Sequence, residues 1–282
     1  MLIFKAGSVV LAGFFKAGEK VLLLPRILSA LIGIPLIILA VWLGGPVLLA
    51  LCALVMLLSL AEIRRMFRRL NLNIPFGLML AGTALLLGSV YLYKDAGLAG
   101  AIAIIFFIFL LWFIFFYPKF NLIDMSVALL AVSYVGLFVY VYLLRTLPDG
   151  WIWIIFMLAG TWVSDTGAFF VGKYFGRRRL ARALSPGKTI EGAVGGAAGS
   201  FLVAAAFLYI YPFLSPAPLL ALGILLGLAA QAGDLVESAF KRQVGVKDAG
   251  DLIPGHGGML DRFDSMLFTA PLVYYYVQKL II

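Results

Sequence analysis

The chain has little of what builds a soluble enzyme. Only 12% of its 282 residues are charged and 13 are acidic. There is one cysteine, Cys52, inside an apolar run, and one histidine, His256. A lone cysteine excludes an intramolecular disulfide, and one Cys with one His cannot assemble an all-protein Cys/His zinc site. Any catalytic metal must therefore rest on carboxylates. No hydrophilic stretch is long enough for a separate soluble domain, and the lack of an internal repeat argues against an inverted-repeat transporter. What fills the chain is apolar: 64% of residues are hydrophobic and the mean hydropathy is +1.09, far above the roughly half-apolar balance of soluble domains. These proportions describe an integral membrane protein.

One helical crossing takes about 20 mostly apolar residues, which leaves room for roughly eight to ten. Nine runs are readable, at 27–42, 46–60, 75–93, 98–117, 126–144, 151–171, 190–211, 218–236 and 263–282. The expected fold is all-α and polytopic, with about nine transmembrane helices. Cations gather before the first run, after the second, fourth and sixth, and between the eighth and ninth; of the 22, only Lys94, Arg145 and Lys279 fall on the other side. That bias puts the N-terminus in the cytoplasm and the C-terminus outside. The net charge of +9 then reflects topology and attraction to anionic lipid, with no nucleic-acid partner expected. Three regions follow: 1–26 as an N-terminal interfacial segment, 27–150 with five spans, and 151–282 with four spans and the polar loops. A cleaved leader is the alternative for the first 20 residues.

Glu19, Glu62, Asp95, Asp124 and Asp149 lie in loops or at span ends, where solvation accounts for them. The other eight acids fall in two C-terminal stretches. In "WVSDTGAFFVGKYFGRRRL", Asp165 lies in or near the sixth span, where a carboxylate is costly unless it meets a cavity, a cation or a metal. Either it is functional, or it hydrogen-bonds Ser164 and Thr166 to hold a helix crossing. The following "LSPGKTIEG" ends like a Walker loop, but Arg182 stands where the first glycine should be. A cationic loop that receives phosphate, with Lys188 and Thr189 opening a helix, fits better; topology anchoring accounts for several of its arginines.

In the second stretch Asp234 and Glu237 share a helix face, and Asp261 and Asp264 repeat the spacing of three. Two carboxylates about 5 to 6 Å apart at Cβ suit a shared divalent cation. Gly255, Gly257 and Gly258 before them permit φ > 0 and a close approach of phosphate oxygens to backbone, with Lys241, Arg242, Lys247 and Arg262 alongside. His256 either bonds backbone in this turn or contacts substrate as a proton shuttle.

The segment from Ser238 to Asp264, "SAFKRQVGVKDAGDLIPGHGGMLDRFD", resembles the signature of the phosphatidate cytidylyltransferases, also called CDP-diacylglycerol synthases, at every fixed position. "SDTGAFFVGKYFGRR" and "LSPGKTIEG" resemble the same family's upstream motif region. The motif-level likeness covers about residues 163–264; the N-terminal spans share only hydrophobicity. The resemblance implies CTP + phosphatidate → CDP-diacylglycerol + pyrophosphate, dependent on Mg2+, at a cytoplasmic face of the inner membrane; a monovalent cation such as K+ beside the Mg2+ is left open. It implies Asp234, Asp261 and Asp264 as metal ligands. Lys241, Arg242, Lys247 and Arg262 are then expected on phosphate, with Asp248 positioning a basic neighbour or a metal-bound water. His256, Gly257 and Gly258 are expected against substrate, and Asp165, Lys173, Ser185, Lys188 and Glu191 lining the same cavity. CTP, phosphatidate and membrane lipid are the partners expected. The small residues of "EGAVGGAAGS" permit tight helix packing within one chain or across a homodimer. Rival readings are a CTP-dependent polyprenol kinase and an ion-coupled transporter using Asp165 and Asp234; a CDP-alcohol phosphotransferase would need an Asp-Gly-x-x-Ala-Arg motif that is missing.

Overall fold

The structure, a computed structural model, describes residues 17–252 and 257–282. Long apolar runs must satisfy their backbone groups internally when water is excluded, and they do so as helices. In chain order these are α1 (Ala17–Leu43), α2 (Gly45–Phe67), α3 (Phe76–Tyr93), α4 (Leu98–Phe116), α5 (Leu122–Gly136), α6 (Val139–Thr146) and α7 (Gly150–Phe175). A hairpin of β1 (Arg179–Ala181) and β2 (Ser185–Thr189) follows, then α8 (Ile190–Ile210), α9 (Pro216–Val244) and α10 (Leu260–Tyr276). Local chemistry sets several boundaries. Asn121 and Asp124 form a reciprocal capping box that starts α5, and Pro216 opens α9 at a position where a missing N–H costs nothing.

Six helical stretches among the described residues are long and apolar enough to cross a membrane: Gly45–Leu70, Phe76–Phe116, Leu122–Thr146, Gly150–Phe175, Ile190–Ile210 and Pro216–Val244. The second of these holds two helices folded back on each other. Gly82 of α3 packs against Ile105 and Phe109 of α4, and Ser89 Oγ donates to Gly97 O at 3.0 Å across the turn. Phe107 and Phe115 on α4 stand 65% and 76% exposed, a surface suited to lipid and not to water. An all-helical integral membrane protein is therefore what the chain forms, with one exposed β-hairpin that the apolar pattern did not announce.

Helix α1 runs unbroken from Ala17, so residues 17–26 continue into the first apolar run; residues 1–16 lie outside the described part. Glu62 and Asp124 are buried and bonded to backbone, where solvation had seemed enough for both. The small residues of α8 are spent within the chain: a Cβ on Gly195 would meet Val171 at 2.5 Å, and one on Gly199 the Val163 carbonyl at 2.9 Å. That stripe gives no argument for a homodimer.

Candidate active site

The hairpin, with Arg179 paired to Thr189 and Ala181 to Ser185, closes one end of a cleft between α7, α8 and α9. The cleft has a volume of about 590 Å3 and is lined by Asp165, Lys173, Arg179, Ser185, Lys188, Gln231 and Asp234 among others. Asp165, Lys173, Ser185, Lys188 and Asp234 thus line one cavity. Neither neighbouring hydroxyl holds Asp165: Thr166 Oγ1 donates to Trp162 O, and Ser164 Oγ is buried without a hydrogen bond. Lys188 pairs with Asp234 at 2.5 Å, and Thr189 caps α8 by accepting from Gly192 N at 3.1 Å. A cation and a helix N-terminus therefore face the same space, an arrangement that attracts anions.

Glu191 does not line this space. Its carboxylate accepts from the N–H groups of Arg177 and Arg178, at 3.0 and 3.1 Å. Those amides, left free where α7 ends, are the nearer donors. Arg242 is likewise turned to structure, its Nε donating to Leu184 O at 3.0 Å and tying the hairpin to α9.

Deeper in, Asp234 and Glu237 on α9 meet Asp264 on α10, with one oxygen of each within 4.8 Å of the others. Glu237 and Asp264 are buried, and Glu237 Oε1 has no hydrogen-bond partner. Three carboxylates this close repel one another unless a cation joins them, so an orphaned oxygen within such a group fits a divalent ion. The resemblance implied Asp261 as a ligand beside Asp234 and Asp264; in the fold the carboxylate that clusters with those two is Glu237. Asp261 is otherwise engaged. Lys241 Nζ donates to its Oδ1 at 2.8 Å while also pairing with Glu237, and its Oδ2 accepts from Ala249 N and Gly258 N at 3.0 and 2.8 Å. Asp261 therefore organises the turn that brings Asp264 to α9. Close approach at this junction depends on Gly233, where a Cβ would lie 2.5 Å from Asp264 O.

The turn itself uses the left-handed region at Gly257, φ +84°, which glycine reaches without strain. Gly258 is buried. Lys247 and Asp248 are exposed on the approach to the turn, and Arg262 on the first turn of α10. Gly255 and His256 lie outside the described residues.

One contributor was missed. Glu62, on α2, accepts the N–H groups of Met259 and Leu260 at 2.8 Å each, one per carboxylate oxygen. The partners are 197 and 198 residues apart in sequence. Its only local signal was an acid in the apolar stretch "LSLAEIRRMF".

Comparison with known proteins agrees with this geometry. The chain is 37% identical over 263 residues to the phosphatidate cytidylyltransferase of Staphylococcus haemolyticus, covering 90% of this chain and 97% of that one. It is 38% identical to the enzyme of the same name from Staphylococcus epidermidis over the same shares. With the one from Staphylococcus aureus it shares 44% identity over 157 residues, 55% of this chain and 60% of that one. The profile of the cytidylyltransferase family matches residues 24–280, and with the carboxylate cluster and cationic cleft both inside that match, the chain belongs to the cytidylyltransferase family.

Proposed function

We propose that the chain is a phosphatidate cytidylyltransferase, making CDP-diacylglycerol and pyrophosphate from CTP and phosphatidate. The observation that carries this reading is the junction of a cation-lined cleft with three clustered carboxylates, in a chain with six helical stretches, among the described residues, long and apolar enough to cross a membrane. A phosphate oxygen of phosphatidate forms a bond to the α-phosphorus of CTP, and the bond from that phosphorus to the bridging oxygen of the β-phosphate breaks. Such a transfer needs positioning and charge neutralisation more than covalent help from the protein.

Each side chain then has a task. Asp234, Glu237 and Asp264 would hold Mg2+, which when bound neutralises phosphate charge as a Lewis acid. Lys188 and the N-terminus of α8 receive phosphate oxygens, with Lys173 and Ser185 at the rim. Lys241 keeps Glu237 and Asp261 in register, while Arg262 and Lys247 draw the triphosphate toward the mouth. The distribution of cations supports nine crossings, with the N-terminus and the cleft in the cytoplasm and the C-terminus outside, in the cell's inner membrane.

Purified protein in detergent, given labelled CTP, phosphatidate and Mg2+, should form a labelled CDP-lipid and release pyrophosphate. A lipid kinase would release CDP and leave a phosphorylated lipid without cytidine, and that product would overturn the proposal. Repeating the assay with and without K+ tests for a second, monovalent ion.

A further inference from the structure

Glu62, on α2, reaches across the fold to the start of α10. We infer that Glu62 is a positioning residue for the transfer reaction: its two oxygens, each spent on an N–H of Met259 or Leu260, fix where α10 begins and so where Asp264 stands. The inference rests on reading Asp234, Glu237 and Asp264 as the metal-holding group.

Free N–H groups at a helix start bind whatever acceptor is offered; here the acceptor is a buried carboxylate from a different helix. The same carboxylate presses on both ends of the signature turn. A Cβ built on Gly250 or on Gly258 would lie 2.7 Å from a Glu62 oxygen. Glu62 and Asp261 therefore grip the turn together, since Asp261 Oδ2 accepts from Ala249 and Gly258. The surrounding end of α2 is docked on the same region, with the Phe67 ring edge-on to Phe240 of α9 at 6.1 Å. Moving the start of α10 moves Asp264, while Asp234 and Glu237 stay on α9. The separation of the three carboxylates is what changes.

Groups that orient metal ligands typically govern about ten- to a hundredfold in affinity or activity. Glu62→Gln, which keeps one acceptor oxygen, and Glu62→Ala should raise the Mg2+ concentration giving half-maximal activity by about tenfold or more, Ala the more severely. The rise in unfolding temperature on adding Mg2+ without substrate should shrink in the same order. Gly258→Ala should reproduce the defect by pushing the carboxylate from its N–H partners, and adding it to Glu62→Ala should cost little more. The inference is overturned if folded Glu62→Gln and Gly258→Ala proteins bind and use Mg2+ like the parent, even if less stable. A parent protein that itself makes no CDP-lipid would instead count against the proposed function.

Discussion

Glycines within helices α1, α3 and α4 contrast with those within α7 to α9. In α1, α3 and α4, Gly33, Gly77, Gly88 and Gly100 have nothing within 4 Å of where a Cβ would stand. In α7 to α9, a Cβ at Gly167, Gly199, Gly227 or Gly233 would come 2.5–2.9 Å from the backbone of a neighbouring helix. These glycines of α1, α3 and α4 leave room for a side chain, whereas those of α7 to α9 let neighbouring backbones approach closely. A transfer that needs three carboxylates held within a few ångströms calls for the second kind of packing. The carboxylates divide the same way. Asp124 in the first half is satisfied by the N–H groups of Asn73 and Asn121, each at 2.9 Å, whereas Asp234, Glu237 and Asp264 face each other.

The sharpest test of this division is Asp264→Asn or Glu237→Gln. Bound metal supplies several kcal/mol of charge stabilisation, and each 1.4 kcal/mol is tenfold in rate. Turnover should therefore fall about a thousandfold or more, with extraction and unfolding temperature nearly unchanged, as read by the CDP-lipid assay beside thermal unfolding in detergent. Retained turnover would refute the assignment of these acids. Gly233→Ala should come next. Its Cβ would meet backbone that cannot swing aside, the Asp264 carbonyl oxygen at 2.5 Å and Ser265 Cα at 2.9 Å, so α9 and α10 must part, at about 1–3 kcal/mol of stability and with a drop in activity. Gly88→Ala, with open space around it, should lose neither; equal effects from the two would erase the contrast between the halves.

Much of this was legible from residues alone because the signals were local. Helical runs show in hydropathy, the i, i+3 acids in spacing, and the cations of the cleft in their crowding around "LSPGKTIEG". What escaped depends on contacts between distant segments. The spacing of Asp261 and Asp264 puts both on one helix face, but only the fold shows Lys241 and two backbone amides claiming Asp261 and leaving the cluster to Glu237. Glu191 and Arg242 are charged and lie beside the hairpin, yet backbone groups of the hairpin and its flanks bond to them. Strands of three and five residues are too short for an alternating pattern to reveal. Glu62 could not be paired by spacing with amides nearly 200 positions away.

A change at Asp124 separates a carboxylate that builds from one that works. Asp124→Ala removes the acceptor for Asn73 N and half of the capping box of α5. Losing a cap costs about 0.5–2 kcal/mol, and the stranded amide of Asn73 adds to it when water cannot reach. The unfolding temperature should fall by several degrees. Turnover per folded molecule should hold, because Asp124 sits among N–H groups of the first half and touches none of the cleft residues. A loss of turnover matching that of Asp264→Asn would mean that the first half carries chemistry of its own, and the division drawn from the glycines would then describe packing alone.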